Sequence, residues 1–499
     1  MIPHDEFDHE LLSRVQPPNW TNPQPVACYN LVVIGAGTAG LVSAAGAAGL
    51  GGKVALIERH RLGGDCLNDG CVPSKALLRC ARAIAEVRRA DAFGVRLPGN
   101  AEVDFAAVMR RMRHLRAGIS HHDSIERFRG LGVDVFLGEA RFTGADTVDV
   151  GGQTLRFARA VIATGTRPAT LELPGLNHLR CFTNETIFGL TELPRRLVVV
   201  GAGPIGCELS QAFRRFGSEV HLINRSPGLL GKEEPEAVAV IRQQFEREEI
   251  HLHLGAKVRG GEPSHLIIEE AGNTVRLEAD AVLIAVGRRA NVEGLGLEQA
   301  GVEYDAHGVR VNDFLRTSNR RIYAAGDVCS PYKFTHVADA LARIALRNAF
   351  YSFGIFGRAR ASDLVIPWCT YTDPEVAHVG LTAAQAHERG MAIRTFRVPL
   401  AEVDRAVLDG ETNGFALIHV RKSSDRIVGA TIVAAHAGEM IGAVVLAMTR
   451  KLGLSALAQT IFAYPTQAEA IKRLGDAYQK ARLTPWTAAF LRAILRGRR

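Results

Sequence analysis

Residues 31–58 read LVVIGAGTAGLVSAAGAAGLGGKVALIE, and three glycines at fixed offsets in this stretch decide the fold. The apolar run Leu31 to Ile34 reads as a strand, and Gly35-Ala36-Gly37-Thr38-Ala39-Gly40 follows it as a tight turn. Small residues from about Thr38 then read as a helix leading to a second strand, Lys53 to Ile57, that ends at Glu58. Gly35 permits the turn, Gly37 lets backbone approach a pyrophosphate, Gly40 allows close helix packing, and Glu58 stands where an acid accepts ribose hydroxyls. Strand, turn, helix and acid in register make a dinucleotide-binding fingerprint, a much stronger signal than the bare glycine pattern. The uncharged run from Leu31 to Gly52 has the length of a membrane span, about 20 residues, but its glycine density favours strand, turn and helix.

A second fingerprint, Gly201-Ala202-Gly203-Pro204-Ile205-Gly206, lies between the strand Arg196 to Val200 and the helical run Cys207 to Phe216. Two fingerprints imply two dinucleotides. The next strand, Glu219 to Ile223, runs into Asn224-Arg225, where an NAD-specific site would place an acid. Arg225 suits a 2′-phosphate, and Lys232 in the following loop offers a second cation. The expected nicotinamide cofactor is therefore NADPH, with NADH the alternative if Arg225 is a solvated surface charge.

Between the fingerprints, residues 63–75 read GGDCLNDGCVPSK. A regular helix rises about 7.5 Å over five residues, whereas bridged cysteines hold their Cα atoms roughly 4.4 to 6.8 Å apart. Cys66 and Cys71 can therefore pair only across distorted backbone, for which Gly70 supplies tolerance of unusual dihedrals. Pro73 fits the first turn of a helix with an apolar face of Leu77, Ala81, Ile84 and Val87. That places Cys71 near the helix's positive end, with Lys75 one turn on, and both favour the thiolate that attacks disulfides and binds soft metals. Taken alone, the spacing leaves open a structural bridge or half a metal site.

The 499 residues, 47% of them hydrophobic, can bury several cores and suggest about three domains. Eight cysteines are too sparse for a disulfide scaffold, and without a signal-peptide pattern the expected compartment is the cytoplasm, where a disulfide would be catalytic. The net charge of +8 comes from scattered basic residues lacking interleaved aromatics, so no nucleic-acid partner is expected. His121, His122 and His336 show no metal-ligand spacing, and no resident metal is expected. The remaining cysteines, Cys80, Cys181, Cys207, Cys329 and Cys369, read as small core residues and are assigned no role; for Cys181, which precedes the nicotinamide domain's first strand, an approach to the cofactor cleft is the minor alternative.

From about residue 28 to 485 the chain resembles the pyridine nucleotide-disulfide oxidoreductases, the flavoenzyme family of lipoamide dehydrogenase, glutathione reductase and mercuric reductase. Besides the cysteine segment, the likeness rests on Val161-Ile162-Ala163-Thr164-Gly165, Ala285-Val286-Gly287-Arg288, Tyr323-Ala324-Ala325-Gly326-Asp327 and the stretch Tyr371-Thr372-Asp373-Pro374-Glu375-Val376-Ala377-His378-Val379-Gly380. It implies an α/β fold with two Rossmann-like domains and an α+β dimerisation domain. The boundaries would be an N-terminal extension (1–28), FAD-binding parts (29–167 and 291–366), an NAD(P)H-binding domain (168–290), the dimerisation domain (367–485) and a basic amphipathic tail (486–499). The first fingerprint would hold FAD, with Gly64, Thr164, Gly165 and Gly326 beside it and Asp327 accepting from the ribityl chain, while Gly287 would serve the second. Cys66 would be the interchange thiol that meets substrate, Cys71 the thiol stacked beside the flavin, and Lys75 would lie near the flavin ring paired with Glu208. A homodimer is implied, in which each active site is completed by the other protomer's C-terminal segment.

That segment departs from the pattern. It reads Ala463-Tyr464-Pro465-Thr466-Gln467-Ala468-Glu469, where lipoamide dehydrogenase and glutathione reductase carry His-Pro and a glutamate that orients the histidine. Tyr464 takes the histidine's place and Glu469 the glutamate's; a phenol of pKa about 10 is a poor base at pH 7. Mercuric reductases also carry tyrosine there, where it can help a thiolate-bound metal ion. Their C-terminal cysteine pair is replaced by RAILRGRR, and no C-x-x-C precedes the first fingerprint, which puts high-capacity mercury handling in doubt. The expected activity is FAD-dependent oxidation of NAD(P)H, with the Cys66/Cys71 disulfide reducing a small thiol-reactive acceptor of the mercuric-ion kind. The alternatives are dihydrolipoamide or low-molecular-weight disulfide turnover, or a flavin redox sensor or peripheral membrane flavoprotein. The last would use Trp486, Phe490, Leu491, Ile494 and Leu495 on one face of the basic tail, although a helix packed on the dimer domain or a frayed end is the plainer reading.

Overall fold

The computed structural model describes residues 5–99, 101–352 and 356–498, and the chain divides into two compact units. The first comprises Met1–Pro227 and Ile250–Asp363. It opens with α1 (Glu6–Val15), β1 (Tyr29–Ile34), α2 (Thr38–Gly49), β2 (Val54–Glu58), α3 (Gly64–Asn68), α4 (Cys71–Arg88) and, after a short turn, α5 (Phe105–Ile119). Its larger sheet has seven strands, with β1 between β2 and Gln153–Ile162 in parallel register, and Ile322–Ala324 returning beside Gln153–Ile162. Leu31, Val32 and Val33 are fully buried, as expected for a parallel strand covered on both faces. Gly40 has the role read from its spacing: a Cβ there would stand 1.8 Å from the Gly35 carbonyl oxygen, so only glycine lets the helix start so close to the turn.

A second sheet in this unit has the order His251–Leu254, Glu219–Asn224, Arg196–Val200, Ala281–Ile284, Cys181–Phe182, all parallel. The second fingerprint joins Arg196–Val200 to the helix Pro204–Phe216. A three-stranded antiparallel sheet, Lys257–Glu262, His265–Glu270 and Asn273–Glu278, follows.

Two local expectations change. The apolar face of α4 ends sooner than its spacing suggests: Leu77 and Ala81 are buried, Ile84 is half-buried and Val87 is exposed, because the helix runs out past the core. The N-terminal extension, to which the sequence assigns no use, is docked. Leu11 and Val15 are fully buried, and Asp8, also buried, accepts from Arg116 of α5 at 2.9 Å.

The second unit comprises Gly228–Glu249 and Leu364–Arg499. Its antiparallel sheet has the order Pro367–Thr370, Glu375–Gly380, Ile427–Ala434, Phe415–Arg421, Ile393–Pro399, covered by helices that include Ala437–Thr449 and Glu469–Arg482. Residues 228–249, expected inside the nicotinamide-binding domain, group with this unit for a visible reason. Glu234 accepts from the Ala383 amide at 2.7 Å and sits 2.9 Å from His419 Nε2, and Trp368 Nε1 donates to Glu233 at 2.6 Å. The tail forms a helix, Pro485–Arg496, with no buried residue. Among the described residues, no helix is long and apolar enough to cross a membrane.

Candidate active site

The two cysteines straddle a break between short helices. Cys66 lies in α3 and Cys71 is the first residue of α4, with Asp69 and Gly70 between the helices. Gly70 has φ −133° and ψ −114°, outside the α and β regions as the expected backbone distortion requires, and space also calls for glycine: a Cβ would meet the Asp65 carbonyl oxygen at 2.8 Å. Cys66 and Cys71 stand unbridged. The Cys66 thiol donates to Cys71, which brings the Cys71 pKa down to about 6 and pushes that of Cys66 up. The Thr335 hydroxyl, 3.5 Å from Cys71 Sγ at the start of another helix, adds to the effect on Cys71, and the Lys75 charge adds a smaller share. The sequence points to Lys75 and the helix dipole; the larger cause is the neighbouring thiol.

Lys75 Nζ donates to the buried Glu208 carboxylate at 2.8 Å. Asp65, beside Cys66, accepts from Asn184 at 2.9 Å and lies 3.2 Å from Arg288. Arg288 also donates to the Thr166 hydroxyl at 2.8 Å, which in turn donates to Asp327 at 3.1 Å. Burial pushes the Asp327 pKa up against the pull of Arg288 and Lys333. Polar contacts thus link the cysteine segment to Arg288, just past the second fingerprint's sheet, and to Asp327, just past the strand that returns to the first sheet.

Both fingerprints fit an anionic dinucleotide. Gly37 and Gly203 begin their helices with no side-chain cap, which leaves first-turn amides free for a pyrophosphate. A Cβ on Gly203 would meet nothing within 4 Å, while one on Gly64 would stand 2.6 Å from Gly37 Cα. The first fingerprint's turn and the cysteine segment therefore meet backbone to backbone, in a cradle any side chain would fill. Glu58 accepts the amides of Ala36 at 2.7 Å and His60 at 2.8 Å, so its carboxylate braces the turn. Thr164 exchanges hydrogen bonds with Asn291, donating at 2.7 Å and accepting at 2.8 Å. Gly35, Gly165, Gly201, Gly287 and Gly326 all adopt positive φ, and Gly206 repeats the Gly40 approach with a Cβ 1.8 Å from the Gly201 carbonyl oxygen. Arg225 is exposed just past its strand; Lys232, also exposed, belongs to the second unit.

Tyr464 also lies in the second unit, where Glu469 is not its partner. Its hydroxyl donates to Asp404 at 2.9 Å, a bond that pushes its pKa above the ordinary phenol value. Glu469 instead accepts from Arg473 at 3.0 Å, and Arg473 reaches Asp404 at 3.3 Å. Tyr464 and Ile461 are 70% and 94% exposed. Cys181 is exposed, its Sγ 3.6 Å from the Leu176 carbonyl. Thr335, Asn184 and Asp404 carry no signal in the sequence, and Arg288 appears there only within a family stretch, because each reaches its partner only through the fold.

Two dinucleotide-binding turns and a thiol–thiolate pair beside the first define a nucleotide-linked dithiol oxidoreductase. Residues 29–342 match the family model for pyridine nucleotide-disulphide oxidoreductases, and residues 366–474 match that family's dimerisation domain. The chain belongs to the pyridine nucleotide-disulphide oxidoreductase family. It is 36% identical over 458 residues to a mercuric reductase of Lysinibacillus sphaericus, covering 91% of this chain and 83% of the relative. It is 35% identical over 461 residues to a dihydrolipoyl dehydrogenase of Chlamydia muridarum, covering 88% and 95%. Among solved structures it resembles LpdA from Mycobacterium tuberculosis (TM-score 0.81, 26% identity, 91% of this chain and 100% of that one). It also resembles the HOCl-induced flavoprotein disulfide reductase RclA from Escherichia coli (TM-score 0.79, 26% identity, 90% and 99%). The chain is thus a flavoprotein disulfide oxidoreductase of a family that binds FAD, uses NAD(P)H and works through a redox-active disulfide. Its dimerisation domain supports a homodimer, while no observation supports membrane contact by the tail.

Proposed function

We propose that this enzyme uses NADPH to reduce a soft, thiol-reactive electrophile of the mercuric-ion kind at the Cys66/Cys71 pair. The observation that carries this reading is Tyr464, whose hydroxyl is bound to Asp404 and held above the ordinary phenol pKa. A disulfide substrate needs a group that passes protons near neutrality, and such a tyrosine is a poor one. A soft divalent ion needs less help: Cys71 already favours the thiolate, and the ion takes the place of the single proton that Cys66 lends it. Gly35, Gly37, Gly40, Gly64 and Asp327 would hold FAD, which when bound would supply two-electron transfer between nicotinamide and the sulfurs. The Lys75–Glu208 pair holds one positive charge a turn from Cys71.

The test is NADPH oxidation by the purified dimer with Hg(II) in excess thiol, beside assays with lipoamide and oxidised glutathione. Mercury-dependent turnover is expected to dominate, and Tyr464→His to raise disulfide turnover by about 10²-fold, the scale of one general acid–base group. Turnover with disulfides alone would overturn the reading in favour of dihydrolipoamide chemistry, which the similarity to the Chlamydia muridarum enzyme favours. For the cofactor, Arg225→Glu is expected to raise KM for NADPH roughly tenfold or more, the scale of a lost charged hydrogen bond, and to leave KM for NADH nearly unchanged. Equal effects on both would assign Arg225 to the solvent.

A further inference from the structure

We propose that Glu219, His221 and His251 form a binding site for one divalent transition-metal ion of the zinc, nickel and copper group, separate from the dithiol. Residues two apart on a strand share a face, so Glu219 with His221, and His251 with His253, project from the same side of adjacent strands. The parallel register sets His221 opposite His251, and their rings stack with centroids 4.6 Å apart. One ligand atom from each of Glu219, His221 and His251 lies within 4.8 Å of the others. Donors on one tetrahedral ion stand roughly 3.3 Å apart, given metal–nitrogen bonds of about 2.0 to 2.1 Å, and His221 Nε2 is 3.3 Å from Glu219 Oε1. His251 is exposed, so its ring is free to close the remaining gap.

The second observation is what stands behind His221. Its Nδ1 lies 3.0 Å from His253 Nε2, and His253 Nδ1 lies 2.9 Å from Glu270 Oε2. Three links, Glu219–His221, His221–His253 and His253–Glu270, thus form a chain with a carboxylate at each end. His221 Nε2 and the Glu219 carboxylate oxygen face each other at 3.3 Å at the open end of that chain, both placed as ligand atoms. A metal ion there completes the arrangement: His221 ligates through Nε2 while its other nitrogen donates towards a carboxylate-anchored partner, the usual support of a metal-bound histidine. Imidazole and carboxylate donors suit zinc, nickel or copper, with water in the open position. Glu219 and His251 begin their strands, whereas a dinucleotide binds outside the carboxyl ends of such a sheet. The ion would clip the edge strand His251–Leu254 to Glu219–Asn224 without entering the nucleotide site.

The test is calorimetric titration of zinc chloride into metal-stripped, FAD-loaded enzyme with Cys66 and Cys71 oxidised, which removes the dithiol as a competitor. One equivalent per protomer is expected. His251→Ala, at an exposed position, should weaken binding about tenfold or more, and Glu270→Gln about tenfold through the supporting shell; neither should alter NADPH oxidation without zinc. Zinc should also raise the melting temperature of the wild type and not that of His251→Ala. Absence of saturable zinc binding, or binding and a melting shift that His251→Ala and His221→Gln leave unchanged, would overturn the assignment.

Discussion

Cys71→Ser is expected to lower NADPH-dependent reduction of any thiol-reactive acceptor by roughly 10³-fold or more, the scale on which removing one member of a reacting unit disables the whole. A serine hydroxyl cannot close a disulfide with Cys66 or ligate a soft ion as a thiolate does. Turnover left intact would mean that flavin alone serves the acceptor and the cysteines are bystanders. A companion measurement isolates what makes Cys71 reactive. In the reduced enzyme, alkylation of Cys71 by iodoacetamide, followed by mass spectrometry of its peptide, should show a midpoint near pH 6, the value to which the thiol is brought down. Cys66→Ala removes the hydrogen-bond donor that is the largest cause of that shift. The thiolate loses support, so the midpoint must move up; a midpoint that stays put would assign the effect to Lys75 and Thr335.

Asp8→Ala is expected to destabilise the enzyme by about 3–5 kcal/mol, because it leaves a buried cation without its carboxylate. Arg116 and Asp8 keep only 3% and 1% of their side-chain surface exposed. Arg116 also donates to the Asn68 carbonyl at 2.8 Å, at the end of the helix that carries Cys66. Asn68 in turn donates to the carbonyls of Leu62 at 3.0 Å and Gly64 at 2.8 Å. The variant should therefore unfold at lower denaturant concentration and also turn over more slowly. Replacing both partners, Asp8→Leu with Arg116→Met, should recover most of the stability, since a well-packed apolar pair is often no worse than a buried ion pair. A single variant that unfolds like wild type would show that α1 contributes no more than a loose tail.

The features legible in the sequence are those whose determinants sit close together along the chain. Each fingerprint compresses strand, turn and helix start into about a dozen residues, so Gly40 and Gly206 disclose their packing role before any coordinates do. Cys66, Cys71 and Lys75 are legible for the same reason. Tyr464 is conspicuous because it breaks a family pattern, but its partner Asp404 lies 60 residues away and is set by how a helix docks on the sheet. The Asp8–Arg116 pair spans 108 residues and joins a segment with no recognisable motif to the redox unit. The histidine cluster fails for a related reason: His251-Leu252-His253 becomes a donor set only when parallel register brings it beside Glu219 and His221. One-dimensional spacing carries no information about which strands are neighbours.

The assignment of residues 228–249 to the C-terminal unit bears on how this protein can be dissected. The chain passes between the units at residues 227/228, 249/250 and 363/364, so no single cut separates them. A fragment ending at residue 363 would keep the helix Pro235–Arg247 while stripping Glu234 of both His419 and the Ala383 amide. It would also uncover Ala237, Ile241 and Phe245, which are now fully buried. The complementary C-terminal fragment would lack one of its own packing elements. Splitting the enzyme for expression, labelling or domain exchange therefore calls for excising the 228–249 loop-and-helix and regrafting it onto the C-terminal piece.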